Sequence, residues 1–256
     1  MGLRYTILGC GTSSGVPRIG NDWGACDPDN PRNRRTRASI LVESDTTRIL
    51  VDTSPDMRAQ LLGAGVSHVD AVLWTHDHAD HCHGIDDLRQ LMHIRRTPVP
   101  GYAAAQTLKL LETRFAYAFF GRDGYLPVVS GVPLEPEMRI GDIAIATVLQ
   151  PHGSIFSCGF RFDCDGRSLG YSTDFHEVTE EMAALFSGVD IWIVDALRRA
   201  PHPTHAHLDL TIEAVALVNP GRALLTHMDQ SMDYAELSAS LPDGVAPAYD
   251  GLSGEV

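Results

Sequence analysis

Apolar residues recur along the chain in short runs with two different periods. Leu3, Tyr5 and Ile7 alternate with more polar neighbours, so residues 3–8 are expected to form a half-buried strand. Residues 38–43 and 48–52 read as a pair of strands around the polar turn Ser44-Asp45-Thr46-Thr47, and Ala71-Val72-Leu73-Trp74 as a short, fully buried strand. Helical spacing appears over residues 55–62, at Ile85, Leu88, Leu91 and Met92, and across residues 103–119. Further strands are expected near residues 126–129, 140–148, 157–162 and 168–172. A helix over 178–186, a buried strand over 190–194, a helix over 210–218 and a strand over 222–225 follow. Strands first and then strands with helices, repeated in two halves, predict two sheets with helices outside them rather than a doubly wound parallel sheet.

Polar chemistry collects where these runs stop. Thr75-His76-Asp77-His78-Ala79-Asp80-His81-Cys82-His83-Gly84 follows the strand ending at Trp74 and has the composition of a metal site. His152, Asp174 and His227 also stand at expected strand ends, and Asp195 closes the strand over 190–194. Taken singly, each could be a cap or a satisfied core residue. Together His76, His78, Asp80, His81, His152, Asp174 and His227 are enough ligands for two metals with open positions. Imidazole and carboxylate without thiolate suit Zn or Mn first, with Fe or Ni as alternatives, and the incomplete shell fits a catalytic site. Asp52 either caps the helix after it or supports a ligand histidine from behind; Thr226, beside His227, is a second candidate for such support. Cys82 and His83 are left to packing or to support of the ligands.

Composition narrows the class. Nothing in the 256 residues reads as a linker, so residues 1–256 are expected to form one domain. No apolar run approaches the roughly 18 residues that span a bilayer, and no secretory n-region and h-region open the chain, so a cytoplasmic protein is expected. Five scattered cysteines fit reduced thiols better than a disulfide framework. A net charge of −13 repels nucleic acid in general and favours a small substrate met by a local basic patch. Two stretches offer such a patch. The turn Gly9-Cys10-Gly11-Thr12-Ser13-Ser14-Gly15-Val16-Pro17 could cradle an anion with its N–H groups and with Ser13 and Ser14, or could simply connect two elements. The long loop over 18–37 ends in Arg32-Asn33-Arg34-Arg35-Thr36-Arg37. There Arg34, Arg35 and Arg37 either contact phosphate or form a solvated face.

The HxHxDH motif with downstream His, Asp and His resembles the metallo-β-lactamase fold superfamily. That resemblance implies an α+β, four-layer αββα sandwich. It places His76, His78 and His152 on one metal and Asp80, His81 and His227 on a second, with Asp174 as the bridge. The carboxylate at Asp174 is similar to the phosphodiesterase and thioesterase branches. The turn over 8–17, the arginine run and Tyr249-Asp250-Gly251 resemble the phosphoribosyl cyclic phosphate phosphodiesterase branch. That branch carries a structural zinc; the corresponding positions here read Asn21, Trp23, Cys26 and Gln230, so no such zinc is expected.

The resemblance implies a hydrolase acting on a small (cyclic) phosphodiester such as a phosphoribosyl cyclic phosphate or nucleotide. Two divalent ions would lower the pKa of bound water towards about 7 and neutralise phosphate oxygens. Asp80 and His207 are the expected catalytic residues, with His207 assigned to leaving-group protonation or phosphate contact. Three alternatives share the ligand set: a tRNA 3′-end-processing endonuclease, a glyoxalase-type thioesterase and a non-catalytic metal- or nucleotide-binding module. A homodimer is the candidate assembly.

Overall fold

A computed structural model describes residues 2–256 of the chain. The first half runs β1 (Arg4–Gly9), β2 (Ser39–Glu43), β3 (Arg48–Val51), α1 (Met57–Gly63), β4 (Ala71–Leu73), α2 (Ala79–Cys82), α3 (Leu88–Arg95), β5 (Val99–Ala103), α4 (Ala105–Arg114), α5 (Ala116–Phe120) and β6 (Val129–Pro133). The second runs β7 (Glu137–Ile140), β8 (Ile143–His152), β9 (Ile155–Cys164), β10 (Arg167–Ser172), α6 (Glu180–Phe186), β11 (Ile191–Asp195), α7 (Leu208–Val218), β12 (Arg222–Thr226), α8 (Tyr234–Ser240), β13 (Val245–Pro247) and β14 (Ser253–Glu255).

These strands form two seven-stranded mixed sheets, in the orders β14-β1-β2-β3-β4-β5-β6 and β13-β12-β11-β10-β9-β8-β7. Each begins with antiparallel strands, which need no crossover, and continues with parallel strands joined through helices. Alternating side chains of both sheets, among them Ile40, Val42, Phe160, Tyr171 and Ile193, pack face to face in one core. The opposite face of the first sheet, with Leu41, Leu50, Val72 and Trp74, is covered by Leu61, Leu88, Leu91 and Leu111 from α1, α3 and α4. The result is the expected αββα sandwich. All five cysteine thiols are buried and unpaired. Among the described residues no helix is long and apolar enough to cross a membrane.

Parallel register carries the chemistry to one rim. Val51 pairs with Leu73, so Asp52 and Thr75 leave the first sheet side by side. In the second sheet Ser172 pairs with Val194 and Asp195 with Thr226, so Asp174, Asp195 and His227 emerge at neighbouring carboxyl ends. The Cys158 N–H donates to the Thr75 carbonyl at 2.8 Å and ties the two rims together. Gly84 closes the intervening loop because nothing larger fits. A Cβ there would lie 2.0 Å from the Ser54 carbonyl oxygen.

The helix expected over 103–119 is two helices, preceded by a strand that the pattern did not show. Residues 99–103 form β5, and Phe115, at φ −116° and ψ 37°, separates α4 from α5. Pro100 and Gly101 hide β5 in the sequence, since both normally weaken a strand. Gly101 is needed there because a Cβ would meet the Trp74 ring at 2.4 Å. The strand expected at 126–129 lies at Val129–Pro133, and β8 runs on to His152 itself. Strands β7, β13 and β14, three or four residues each, lie at sheet edges, where burial imposes little pattern.

Candidate metal centre

The segment after β4 and the helix α2 of the first half converge with three strand ends of the second. His76 and His78 lie in the extended segment after β4, and His78 caps α2, whose single turn aims Asp80 and His81 at the same point. His152 ends β8; Asp174 and His227 follow β10 and β12. Asp52, Asp174 and His227 all take left-handed backbone angles, with φ of 64°, 57° and 59°. Such angles cost non-glycine residues about 1 kcal/mol or more and persist where the surroundings over-determine them, as functional rims do.

Asp174 lies at the centre. Its Oδ2 is 3.6 Å from His76 Nε2 and 3.5 Å from His152 Nε2. Its Oδ1 is 3.3 Å from His81 Nε2 and 3.4 Å from His227 Nε2. On the second side Asp80 Oδ2 adds an oxygen 3.3 Å from His81 Nε2 and 3.4 Å from His227 Nε2. On the first side His78 Nδ1 is 3.2 Å from His152 Nε2. Within each of the sets His76, His78, His152, Asp174 and Asp80, His81, His227, the candidate ligand atoms lie within 4.8 Å of one another.

The donor set fits two cations, one on each side of Asp174. Among the described residues the buried Nε2 atoms of His76 and His81 have no hydrogen-bond partner, a costly state unless something else satisfies them. Electrostatics point the same way. Burial alone would raise Asp174 and Asp80, yet the surrounding imidazoles hold both below the usual carboxylate range. Burial would lower His81 and His227, but Asp174 and Asp80 overcome it, and His227 is pushed up to about 9. Burial, reinforced by His81, pushes His76 down. The carboxylates attract positive charge into a pocket that burial would otherwise keep neutral.

Supporting groups fix the ligands. Asp52 is fully buried; its Oδ2 lies 2.7 Å from His81 Nδ1, and its Oδ1 accepts from the Thr75 N–H at 2.8 Å. Of the two positions open to Asp52, its side chain takes the one behind the candidate ligand His81, and the cap position of α1 is Asp56. The Thr75 hydroxyl is 3.0 Å from His76 Nδ1, and the Thr204 carbonyl is 2.7 Å from His152 Nδ1. Thr226 Oγ1 is buried without a partner among the described residues, so its hydroxyl holds no ligand. Cys82, pushed up to about 12 by burial, donates its thiol to the Asp77 carbonyl, and the His83 ring stands edge-on to Phe115.

Two residues join the site that the sequence reading left without a role. His205 stacks on His227, ring centroids 4.9 Å apart, and its Nδ1 is 3.1 Å from Asp195 Oδ2. Asp195 is fully buried at the end of β11 and also accepts from the Asp174 N–H. His207, the expected catalytic histidine, takes the N-cap position of α7 before Leu208 and makes no side-chain cap bond among the described residues. In this loop of three histidines, position alone could not separate His205 from His207. Asp195 did carry a signal, because it ends a buried strand as Asp174 and His227 do.

Within the arginine run Arg32 and Arg34 are exposed, and Arg35 is turned inward. Arg35 is 2% exposed. Its guanidinium donates to the carbonyls of Met232 and Asp229 at 2.6 and 3.2 Å, with Asn33 Oδ1 at 3.4 Å. Arg34 lies over the Trp23 ring, and Arg37 Nε is 3.0 Å from Asp56 Oδ2. Substrate contact expected of Arg35 is thus corrected: its donors are spent on the loop. Arg34 and Arg37 are likewise engaged by the protein. Of the positions compared with a structural zinc site, Trp23 donates to Asn21, Gln230 accepts from the Ala25 N–H, and Cys26 lies 3.8 Å from Arg35. In the glycine-dense turn the N–H groups of Cys10, Gly11, Thr12 and Gly15 bond within the protein, which removes the backbone cradle at those positions. Ser13 and Ser14 remain exposed and line a cleft together with His205.

A two-sheet sandwich with imidazoles and carboxylates at one rim around a central aspartate defines a metallo-β-lactamase-type metal centre. Residues 47–228 match the family model of the beta-lactamase superfamily domain, and the chain belongs to that superfamily, in its PhnP-like branch. A diphosphatase of the PhnP family has a similar solved structure: 35% identity, a TM-score of 0.91, and coverage of 100% of this chain and 98% of that one. An octanoyltransferase of Porphyromonas gingivalis is 30% identical over 98% of this chain and 51% of its own length. A ribonuclease Z of a Bradyrhizobium species is 31% identical over 60% of this chain and 51% of its own length. The chain spans about half the length of these two curated relatives.

Proposed function

We propose that residues 1–256 act as one unit, a two-metal phosphodiesterase that hydrolyses small phosphodiesters. The observation that carries this reading is the split of Asp174: one carboxylate oxygen faces His76 and His152, the other His81 and His227. His76, His78 and His152 would hold one ion; Asp80, His81 and His227 would hold the other, with Asp174 shared. Bound divalent ions, Zn or Mn in the first place, supply an acidified water and neutralise phosphate charge.

The remaining work falls to the chain. Asp195 accepts the Nδ1 hydrogen of His205 and fixes that tautomer, so Nε2 is the nitrogen available to carry a proton to the departing alkoxide. Thr75, Asp52 and Thr204 hold the ligand rings and so keep the site pre-organised. The likeness to a PhnP-family diphosphatase supports phosphorus chemistry. The net charge of −13 favours a small substrate over RNA.

The test is hydrolysis of bis(4-nitrophenyl) phosphate and of nucleoside cyclic phosphates by the full chain, stripped and then reloaded with Zn or Mn. Activity that disappears on stripping and returns on reloading supports the reading. Cleavage of precursor tRNA or of a thioester, with inert small phosphodiesters, would overturn it.

A further inference from the structure

Among the histidines of the two proposed ion sites, His76, His81, His152 and His227 are buried, each at most 3% exposed. The first three have a partner on the ring nitrogen that faces away from the site: the Thr75 hydroxyl, the Asp52 carboxylate and the Thr204 carbonyl. His227 is stacked between the His81 and His205 rings, with centroids 5.5 and 4.9 Å away. His78 has neither kind of support. It is exposed, and its ring meets only the edges of His76 and His152, its fellow candidate ligands. Its Nδ1 lies 3.2 Å from His152 Nε2, and among the described residues its Nε2 has no hydrogen-bond partner. No group behind the ring fixes it, so its position depends on the backbone that carries it.

That backbone is held from outside the loop. The Asp77 carbonyl belongs to the planar peptide unit that leads into His78, and it accepts from Arg114 Nη1 and, at 3.3 Å, from the Cys82 thiol. Arg114 Nη2 donates to Asp77 Oδ2 at 2.8 Å. One guanidinium thus takes both the main chain and the side chain of Asp77, a two-point hold suited to a planar fork and not to an ammonium. The fork has a rigid base. Arg114 is the last residue of α4, which Leu108 and Leu111 anchor in the core on the outer face of the first sheet. The same pair keeps the Asp77 carboxylate, which stands between two candidate ligands, outside both ligand sets. A partly exposed ion pair of this kind contributes little to global stability, so its consequence is local orientation.

We infer that Arg114 is a positioning residue of the ion site formed by His76, His78 and His152, and that by holding Asp77 it sets the direction in which His78 presents Nδ1. The inference rests on the two-metal reading above. Arg114 acts through Asp77 and supplies no ligand atom itself.

The experiment titrates the full, metal-stripped chain with zinc against a chromophoric chelator. The wild type should bind two ions. Arg114→Ala should weaken one of them about tenfold and leave the other within about twofold, with a melting temperature close to that of the wild type. Arg114→Lys, which keeps the charge and loses the fork, should fall between the two. Asp52→Asn, which disturbs His81 on the other ion, identifies the affected site: combined with Arg114→Ala it should weaken both ions. Two ions held as in the wild type by Arg114→Ala, or a double variant in which one ion keeps its wild-type affinity, would overturn the positioning role. Equal weakening of both ions in Arg114→Ala, accompanied by early melting and not relieved by lysine, would replace it with a general structural one. A wild-type chain that binds fewer than two ions would overturn the two-metal reading and this inference with it.

Discussion

Replacing Asp52 by Asn tests whether the ligand geometry is built from behind. Asn tolerates the left-handed φ of 64° at this position, so the backbone has no reason to move. The Thr75 N–H, 2.8 Å away, requires an acceptor, so the new carbonyl oxygen must take the place of Oδ1. The amide nitrogen then faces His81 Nδ1 at the former 2.7 Å contact and donates to it. His81 Nδ1 becomes an acceptor, its hydrogen moves to Nε2, and Nε2 is the atom aimed at Asp80 and Asp174. A protonated Nε2 cannot ligate. Loss of such a supporting partner typically weakens metal binding about 10- to 100-fold, or about 1.4–2.7 kcal/mol. Competition against a chromophoric chelator should show one of two ions weakened by that factor while the other is retained. Two ions bound within twofold of the wild-type affinities would refute the reasoning.

Other substitutions probe separate parts of the account. His205→Ala should lower kcat by about 10²- to 10⁴-fold with metal content unchanged, while His207→Ala should retain most activity; the reverse ranking would restore His207 to the role its sequence position suggested. Arg35→Ala strands the Met232 and Asp229 carbonyls and opens a cavity, and should cost about 3–5 kcal/mol in urea unfolding; a loss below about 1 kcal/mol would show that the loop does not depend on it. Asp250 accepts from the Thr36 and Cys10 N–H groups, yet burial pushes its carboxyl up to about 6. The native state therefore holds this proton more tightly than the unfolded chain does. Its contribution to stability is full below about pH 4 and falls by at most about 3 kcal/mol as pH rises through 6. Asp250→Asn is less stable throughout, since an amide cannot accept from both donors, but its deficit should shrink between pH 4 and pH 7; a constant deficit would contradict the assignment.

Much of this site could be read from the sequence because its ligands follow buried apolar runs. The strand before His76 and the one ending at Asp195 are continuous and apolar, and within each sheet parallel register sets each end beside that of its neighbouring strand. What escaped had a physical reason. Strand β5 is interrupted by Pro100 and by Gly101, which exists for Trp74 and not for the strand. The edge strands β7, β13 and β14 are too short for burial to pattern them. His205 and His207 differ only in where a loop turns, which local sequence does not encode. The arginine run looked like a phosphate patch, but Arg35 is folded under Met232 to hold the long loop. Arg18 and Arg198, which line the cleft beside His205, come from two stretches 180 residues apart, so no run marked them.

The central claim is a two-metal centre shared through Asp174. Anomalous X-ray scattering at the zinc edge, from crystals of the zinc-loaded protein, tests it most directly. Two peaks should appear on opposite sides of the Asp174 carboxylate, one contacting His76, His78 and His152, the other Asp80, His81 and His227. A single peak at saturating zinc, or peaks elsewhere, would contradict it.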